Sequence, residues 1–177
     1  MLLRKHLAGI MLAALCAAFT AVPAHAALNA YLKLTGQKQG DIKGSVTQRG
    51  RENSIELLSV NHEIVSPRDA QSGLPTGQRM HKPIIVTKEI DATSPKLQQA
   101  MVGNEEFARA VIEFAPKGDA HSVERITLQG AHISKITRKP QAGNKKGAEV
   151  EEIEFVYQKI TWTYEGNTKT YTGEWVK

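Results

Sequence analysis

The stretch Gly73-x-x-x-Gly77-Gln78-Arg79 offers the first chemistry to weigh, since closely spaced glycines beside a cation can cradle phosphate. A phosphate loop works by aiming backbone N–H groups and a lysine at the ligand as it opens a helix. It needs a wider glycine spacing and a Lys-Ser/Thr pair. Here Gln78-Arg79 runs into the apolar, β-branched stretch Ile84-Ile85-Val86-Thr87, so no nucleotide site is read. The histidines suggest metal chemistry, but His62, His81, His121 and His132 show no HxH, HxxxH or HExxH spacing. The one cysteine, Cys16, lies in an apolar leader and cannot join them, so a zinc site has little local support. A nucleophilic serine would sit in a Gly-x-Ser-x-Gly elbow, and none is present. The acidic doublets Glu105-Glu106 and Glu151-Glu152 are poor acid/base couples, because neighbours on an extended chain point to opposite faces. Glu105-Glu106, just past a predicted helix, is read as solvated. Trp162 and Trp175 could stack on sugars, yet core packing is the stronger expectation for aromatics on strands. No catalytic residue, cofactor or metal is therefore expected. A hydrolase assembled from distant side chains, with His62 and His81 as its candidates, is the weakest reading.

The elements that would position these residues are mostly strands. Leu32 and Leu34 alternate with Tyr31 and Lys33; Leu58, Val60, His62 and Ile64 alternate with Ser59, Asn61 and Glu63. Ile84, Val86 and Ile90 share one face opposite Thr87 and Glu89, and Ala108, Ala110, Ile112 and Phe114 alternate with Arg109 and Glu113. Two stretches change phase. Ile126 and Leu128 give way to Ile133 across Gly130, which predicts a bulge or bend there. Ile153, Phe155 and Tyr157 give way to Ile160, Trp162 and Tyr164, which predicts a strand crossing from one wall to another near Gln158 and Lys159. Glu165-Gly166-Asn167 reads as a hairpin turn into a closing strand. One helix is predicted, with Ser94 as its N-cap, Pro95 in the first turn, and Gly103-Asn104 ending it. The fold class is all-β and mainly antiparallel, a β-barrel or two-sheet sandwich with one short flanking α-helix.

Residues 1–26 follow the grammar of a secretory signal peptide. Arg4, Lys5 and His6 make a positive start, residues 7–22 are almost wholly apolar, and Ala24-His25-Ala26 gives a small-x-small cleavage pattern. Leu15 before Cys16 argues against lipidation. Residues 27–177 remain as a single domain, long enough for a real core and without cysteine. The whole chain carries +5, of which Arg4 and Lys5 supply two, leaving a mild +3. The most basic stretch, RKPQAGNKKG at 138–147, has no aromatic and is followed by Glu149, Glu151 and Glu152. It reads as a solvated hairpin loop, so nucleic acid is not expected as a partner, and neither is stable membrane insertion.

The run SPRDAQSGLPTGQRMHKPIIVTKEIDATSPKLQQAM carries a resemblance. AYLKLTG and IELLSVNHEI precede it, and ERITLQGAHISKI and EEIEFVYQKITWTY follow. In order and length, 28–177 resembles the Hcp family, the tube-forming protein of type VI secretion systems. The resemblance implies a compact β-barrel that forms a homo-hexameric ring, with rings stacking into a hollow tube inside a contractile sheath. It also implies a capping spike protein, effectors carried in the lumen, and no enzymatic activity. The loop 66–83 looks like the family's extended loop, which reaches a neighbouring subunit or ring. Ser66, Pro67, Gly73, Pro75, Gly77, Gln78, Arg79 and His81 are its expected interface residues. Their types suit that task. Pro67 and Pro75 lower chain entropy, Gly73 and Gly77 permit close backbone approach, and Gln78, Arg79 and His81 can hydrogen-bond across a contact. The leader departs from the family, whose members are cytoplasmic until fired, because it implies periplasmic transit. The expected role is a secreted, ring-forming tube component. The alternative is a periplasmic Hcp-like binding module that acts outside the tube.

Overall fold

The computed structural model describes residues 28–116, 124–140, 149–164 and 167–174. The chain runs β1 (Leu28–Gly36), β2 (Gly40–Ile42), β3 (Ile55–Leu57), β4 (Ser59–Asn61), β5 (Ile64–Val65), β6 (Met80–His81) and β7 (Ile84–Glu89). A helix, α1 (Ser94–Val102), follows. Then come β8 (Phe107–Pro116), β9 (Glu124–Gln129), β10 (His132–Pro140), β11 (Glu149–Val156), β12 (Lys159–Tyr164) and β13 (Asn167–Glu174). A seven-stranded sheet has the order β13-β12-β9-β8-β1-β2, with β3 also on β1. A four-stranded sheet has the order β10-β11-β7-β4, and β5 pairs with β6 apart from both. Every one of these pairings is antiparallel.

Three strands bend and change sheets. The chain leaves β3 on the large sheet and enters β4 on the small one at Leu58, whose N–H donates to the Thr87 carbonyl. It passes from β9 to β10 at Gly130, which adopts φ +60°. It passes from β11 to β12 through Tyr157 and Gln158, where the phase change predicts a crossing. These corners decide between the two expected architectures. The sheets are not closed into a barrel: each corner moves a strand to the other sheet, and no ladder among the described residues joins the two sheets.

The inward rows meet in one core. Leu32, Leu34, Ile112, Ile126, Leu128 and Ile160 of the large sheet pack with Ile84, Val86, Ile153 and Phe155 of the small one. Phe107 meets Phe155 edge to face at 5.9 Å across the two sheets. Leu97 and Ala100 bury the inner face of α1. The alternation expected at 58, 60, 62 and 64 fails, because Leu58 and Ile64 are exposed once the chain turns at Leu58. Ile90 also lies outside the core, one residue past the end of β7. Tyr31, expected to face solvent, is buried because Arg51 folds back over its ring at 4.8 Å. The Tyr31 hydroxyl donates to Gln48 at 3.0 Å, which ties down the same returning segment.

The helix begins differently from expectation. Thr93 is the capping residue, and it makes no side-chain cap bond. Ser94 is the first helical residue; its hydroxyl donates to Glu151 Oε1 at 2.6 Å and accepts the Asp91 N–H. A buried carboxylate competes for the hydroxyl and wins. The helix stops as expected at Gly103 and Asn104, the latter at φ +44°.

Candidate functional site

The loop that sequence singles out is an ordered two-limbed arm. Its base is the β5–β6 ladder, Ile64 opposite His81 and Val65 opposite Met80, closed by Lys82 N–H donating to Glu63 O at 2.9 Å. Further out, Thr76 N–H donates to Pro67 O at 3.0 Å, and Arg68 bridges to Pro75. Pro75 has no N–H to offer, so the ladder thins there and the tip turns.

The tip is built on Asp69. Its carboxylate accepts the N–H groups of Gln71 and Ser72 and the Ser72 hydroxyl, at 3.1, 2.7 and 2.7 Å. The hydrogen bonds from Ser72 hold the Asp69 carboxyl below the usual aspartate value. Gly73 closes the turn at φ +68°, a backbone region costly for any residue with a Cβ. Gly77 has no such requirement; a Cβ there would meet Pro67 at ordinary contact distance.

Of the eight predicted loop residues, Ser66, Gly73, Pro75, Gly77, Gln78 and Arg79 lie exposed along the arm, and Pro67 is half-buried. Leu74, which the sequence reading did not pick out, presents an apolar tip at 65% exposure. His81 stands apart at 6% exposure. It faces inward and anchors the arm, which leaves the outward contacts to its neighbours.

The anchor is an imidazole and aromatic cluster. The His62 and His81 rings stack at 6.0 Å with 16° between planes, and Trp162 flanks them at 5.5 and 6.1 Å. The Tyr157 hydroxyl donates to the Lys82 carbonyl at 3.2 Å, so His62 Nε2–H donates to the Tyr157 oxygen at 2.8 Å. Burial pushes the Tyr157 phenol well above its usual range, so it remains a neutral hydroxyl. His62, Ile64, Trp162 and Tyr164 line an open groove of about 450 Å³ beside the arm base. The two hydrolase candidates do come together, but as a stacked pair of which His62 is hydrogen-bonded to a phenol, and among the described residues no serine or carboxylate is bonded to either ring. Among the described residues no group of three or more His, Cys, Asp or Glu is placed to hold a metal.

Three buried carboxylates escaped the sequence reading: Glu113, ion-paired with Lys33, Arg51 and Arg125, and also Glu105 and Glu151. Glu105 is 4% exposed, not solvated as expected; its Oε1 accepts the Lys38 and Gln39 N–H groups at 2.7 and 2.8 Å. A tight turn after β1 leaves those two donors without ladder partners, and Glu105 satisfies them. Glu151 is fully buried opposite Lys88 on β7, 2.9 Å from its Nζ, while Glu152 turns outward to Lys139. His121, Trp175, the hairpin turn at 165–166, the loop tip at 141–148 and the leader 1–26 lie outside the described residues.

A family model described as "Type VI secretion system effector, Hcp" matches residues 31–164. The chain belongs to the Hcp family. The "Major exported protein" of Pseudomonas aeruginosa is 35% identical over 162 residues, covering 82% of this chain and 94% of that protein. Hcp1 of E. coli EAEC 042 matches at 31% identity and a TM-score of 0.74, covering 85% of this chain and 100% of that one. The secreted protein Hcp3 from Pseudomonas aeruginosa matches at 27% identity and a TM-score of 0.68, over 85% and 100%. As an Hcp, the protein is a secreted tube component of the type VI secretion system, and its role is structural, not enzymatic. The arm from Ile64 to His81 falls wholly within the matched stretch.

Proposed function

We propose that residues 27–177 assemble as a homo-hexameric ring, that rings stack into the inner tube, and that the arm at 66–83 makes the contact with a neighbouring subunit or ring. The observation that carries this reading is the arm itself: residues 66–80 are exposed save Pro67, yet they hold a defined shape through their own hydrogen bonds. An arm shaped before docking loses less entropy on binding than a mobile loop would. Gln78 and Arg79 offer polar contacts and Leu74 an apolar one. In the tube, the ring would meet the sheath outside, the spike at the end, and effectors in the lumen.

Removing residues 70–79 tests the arm's role. The expected outcome is a fall in mass by light scattering from hexamer to smaller species, with thermal unfolding of the subunit little changed. An unaltered hexamer would remove the arm from the contact. The leader enters the same reading as a working signal peptide, so the exported protein should begin at Ala27 by intact mass; export with residues 1–26 retained would contradict it. The groove at His62, Ile64, Trp162 and Tyr164 favours a second reading, a monomeric periplasmic binding module. That reading requires a stable monomer whose melting temperature rises with a bound ligand.

A further inference from the structure

The base of the arm is fastened by two histidines that have no acid partner among the described residues. His62 comes from the link between β4 and β5 that leads into the arm, and His81 from β6 that leaves it, so the pair closes the hinge from both sides. Behind them stand Tyr157 at the β11–β12 corner and Trp162 on β12. Gly173 of β13 lies so close that a Cβ there would fall 2.5 Å from His81 Cε1 and 2.8 Å from its Nε2. His81 Nδ1 is buried and has no hydrogen-bond partner. The seat accepts a neutral ring and little else.

We propose that the His62–His81 pair is a pH-sensitive latch: neutral, it seats the base of the arm on the large sheet, and protonated, it frees the arm.

The chemistry follows from what each ring would meet on gaining a proton. An imidazolium at His81 turns Nδ1 into a buried N–H with no acceptor, and a buried donor without a partner is costly. The Trp162 indole can offset part of the charge through its face, but it supplies only a donor at its edge. His62 keeps its bond to Tyr157 when protonated, yet its charge then stands 6.0 Å from the second ring. Among the described residues, the titratable and charged groups around the pair are few. The return limb of the arm brings Arg79 and Lys82, the outgoing limb brings Glu63 (exposed), and the sheet brings the phenols of Tyr157 and Tyr164, the latter bonded to the half-buried Glu124. None of these is a buried carboxylate able to stabilise the charged form.

Burial holds both imidazoles below the usual histidine value, helped at His62 by His81 and at His81 by the charge of Arg79. The sign is then fixed. The freed arm takes up protons near the ordinary value of 6.5, the seated arm only below it. Seating is therefore strongest above 6.5, weakens as pH falls through that value, and stops weakening only below the lowered values of the seated pair. The latch is defined within one chain, so it stands or falls independently of whether rings form.

Amide hydrogen exchange of the full chain, corrected for intrinsic rates and compared at about pH 7.5 and about pH 5, tests the latch. Residues 64–65 and 80–82 should lose protection about tenfold at the lower pH while β1 and β8 keep theirs. A double variant, His62→Gln with His81→Phe, retains a donor to Tyr157 and an uncharged ring at His81, and its arm should be indifferent to pH. No loss in the wild type, an equal loss across the core, or a loss that persists in the double variant would overturn the proposal. Ring-proton NMR of the wild type gives a test free of mutation. Both histidines must titrate below free histidine and in step with the loss of arm protection; titration at or above the free value overturns the latch.

Discussion

At the scale of single residues, buried charges set the tolerances of the fold. Lys88 is 1% exposed and Glu151 fully buried, and Ser94 shares their hydrogen bonds, so the pair ties α1 to the small sheet. Burying two charges costs desolvation that their attraction only roughly repays, so the penalty appears when one partner is removed. Lys88→Met should lose about 3–5 kcal/mol in denaturant unfolding, and adding Glu151→Leu should restore most of it. A single variant within about 1 kcal/mol of wild type would contradict this account. Glu105 makes a prediction about acid. Burial works to raise its carboxyl, but the hydrogen bonds from Gln39 and Lys38 outweigh it and hold the value below 4.5. Its contribution is therefore complete above 4.5 and lost as pH falls through the lowered value. Glu105→Gln should cost about 1–3 kcal/mol at neutral pH, and the gap in urea midpoint should close on acidification. A gap that stays constant down to acid pH would contradict the prediction. Half of this was legible in sequence. Lys88 extends the row of Ile84 and Val86, and Glu151 extends the row of Ile153 and Phe155, so each is a charge in an apolar row. Pairing them requires the β7–β11 register, which no periodicity contains.

At the scale of elements, the corners matter most. Two of the three announced themselves by a change of phase, at Gly130 and at Gln158. They also touch, since a Cβ on Gly130 would lie 2.7 Å from the Gln158 side chain. Gly130→Ala should therefore cost more than about 1 kcal/mol, from the left-handed backbone and from the clash. Adding Gln158→Ala should relieve only the clash, which a thermal-melt double-mutant cycle resolves. Equal melting of Gly130→Ala and wild type would contradict it. The third corner was hidden because the apolar residues at 58, 60 and 64 continue one phase across it. Only the partners of β3 and β4 reveal the turn. The arm was legible as an exposed loop from its glycines and prolines, but its inner anchor was not. Nothing local marks His62 and His81 as neighbours; a ladder of two residue pairs brings them together.

At the scale of the whole molecule, two sheets share strands at three corners around a single core, and one arm projects from them. The family was readable from the long run around the arm, and a family match over residues 31–164 agrees. A closed barrel was not to be had from the pattern, because alternation reports which face is buried and not which edges meet. The proposed role requires this subunit to form a ring. The measurement that tests it most directly is the solution mass of residues 27–177 by light scattering, with negative-stain images of the same peak. Hexameric rings are expected in the absence of added nucleotide or metal. A monomer at every concentration would contradict that role.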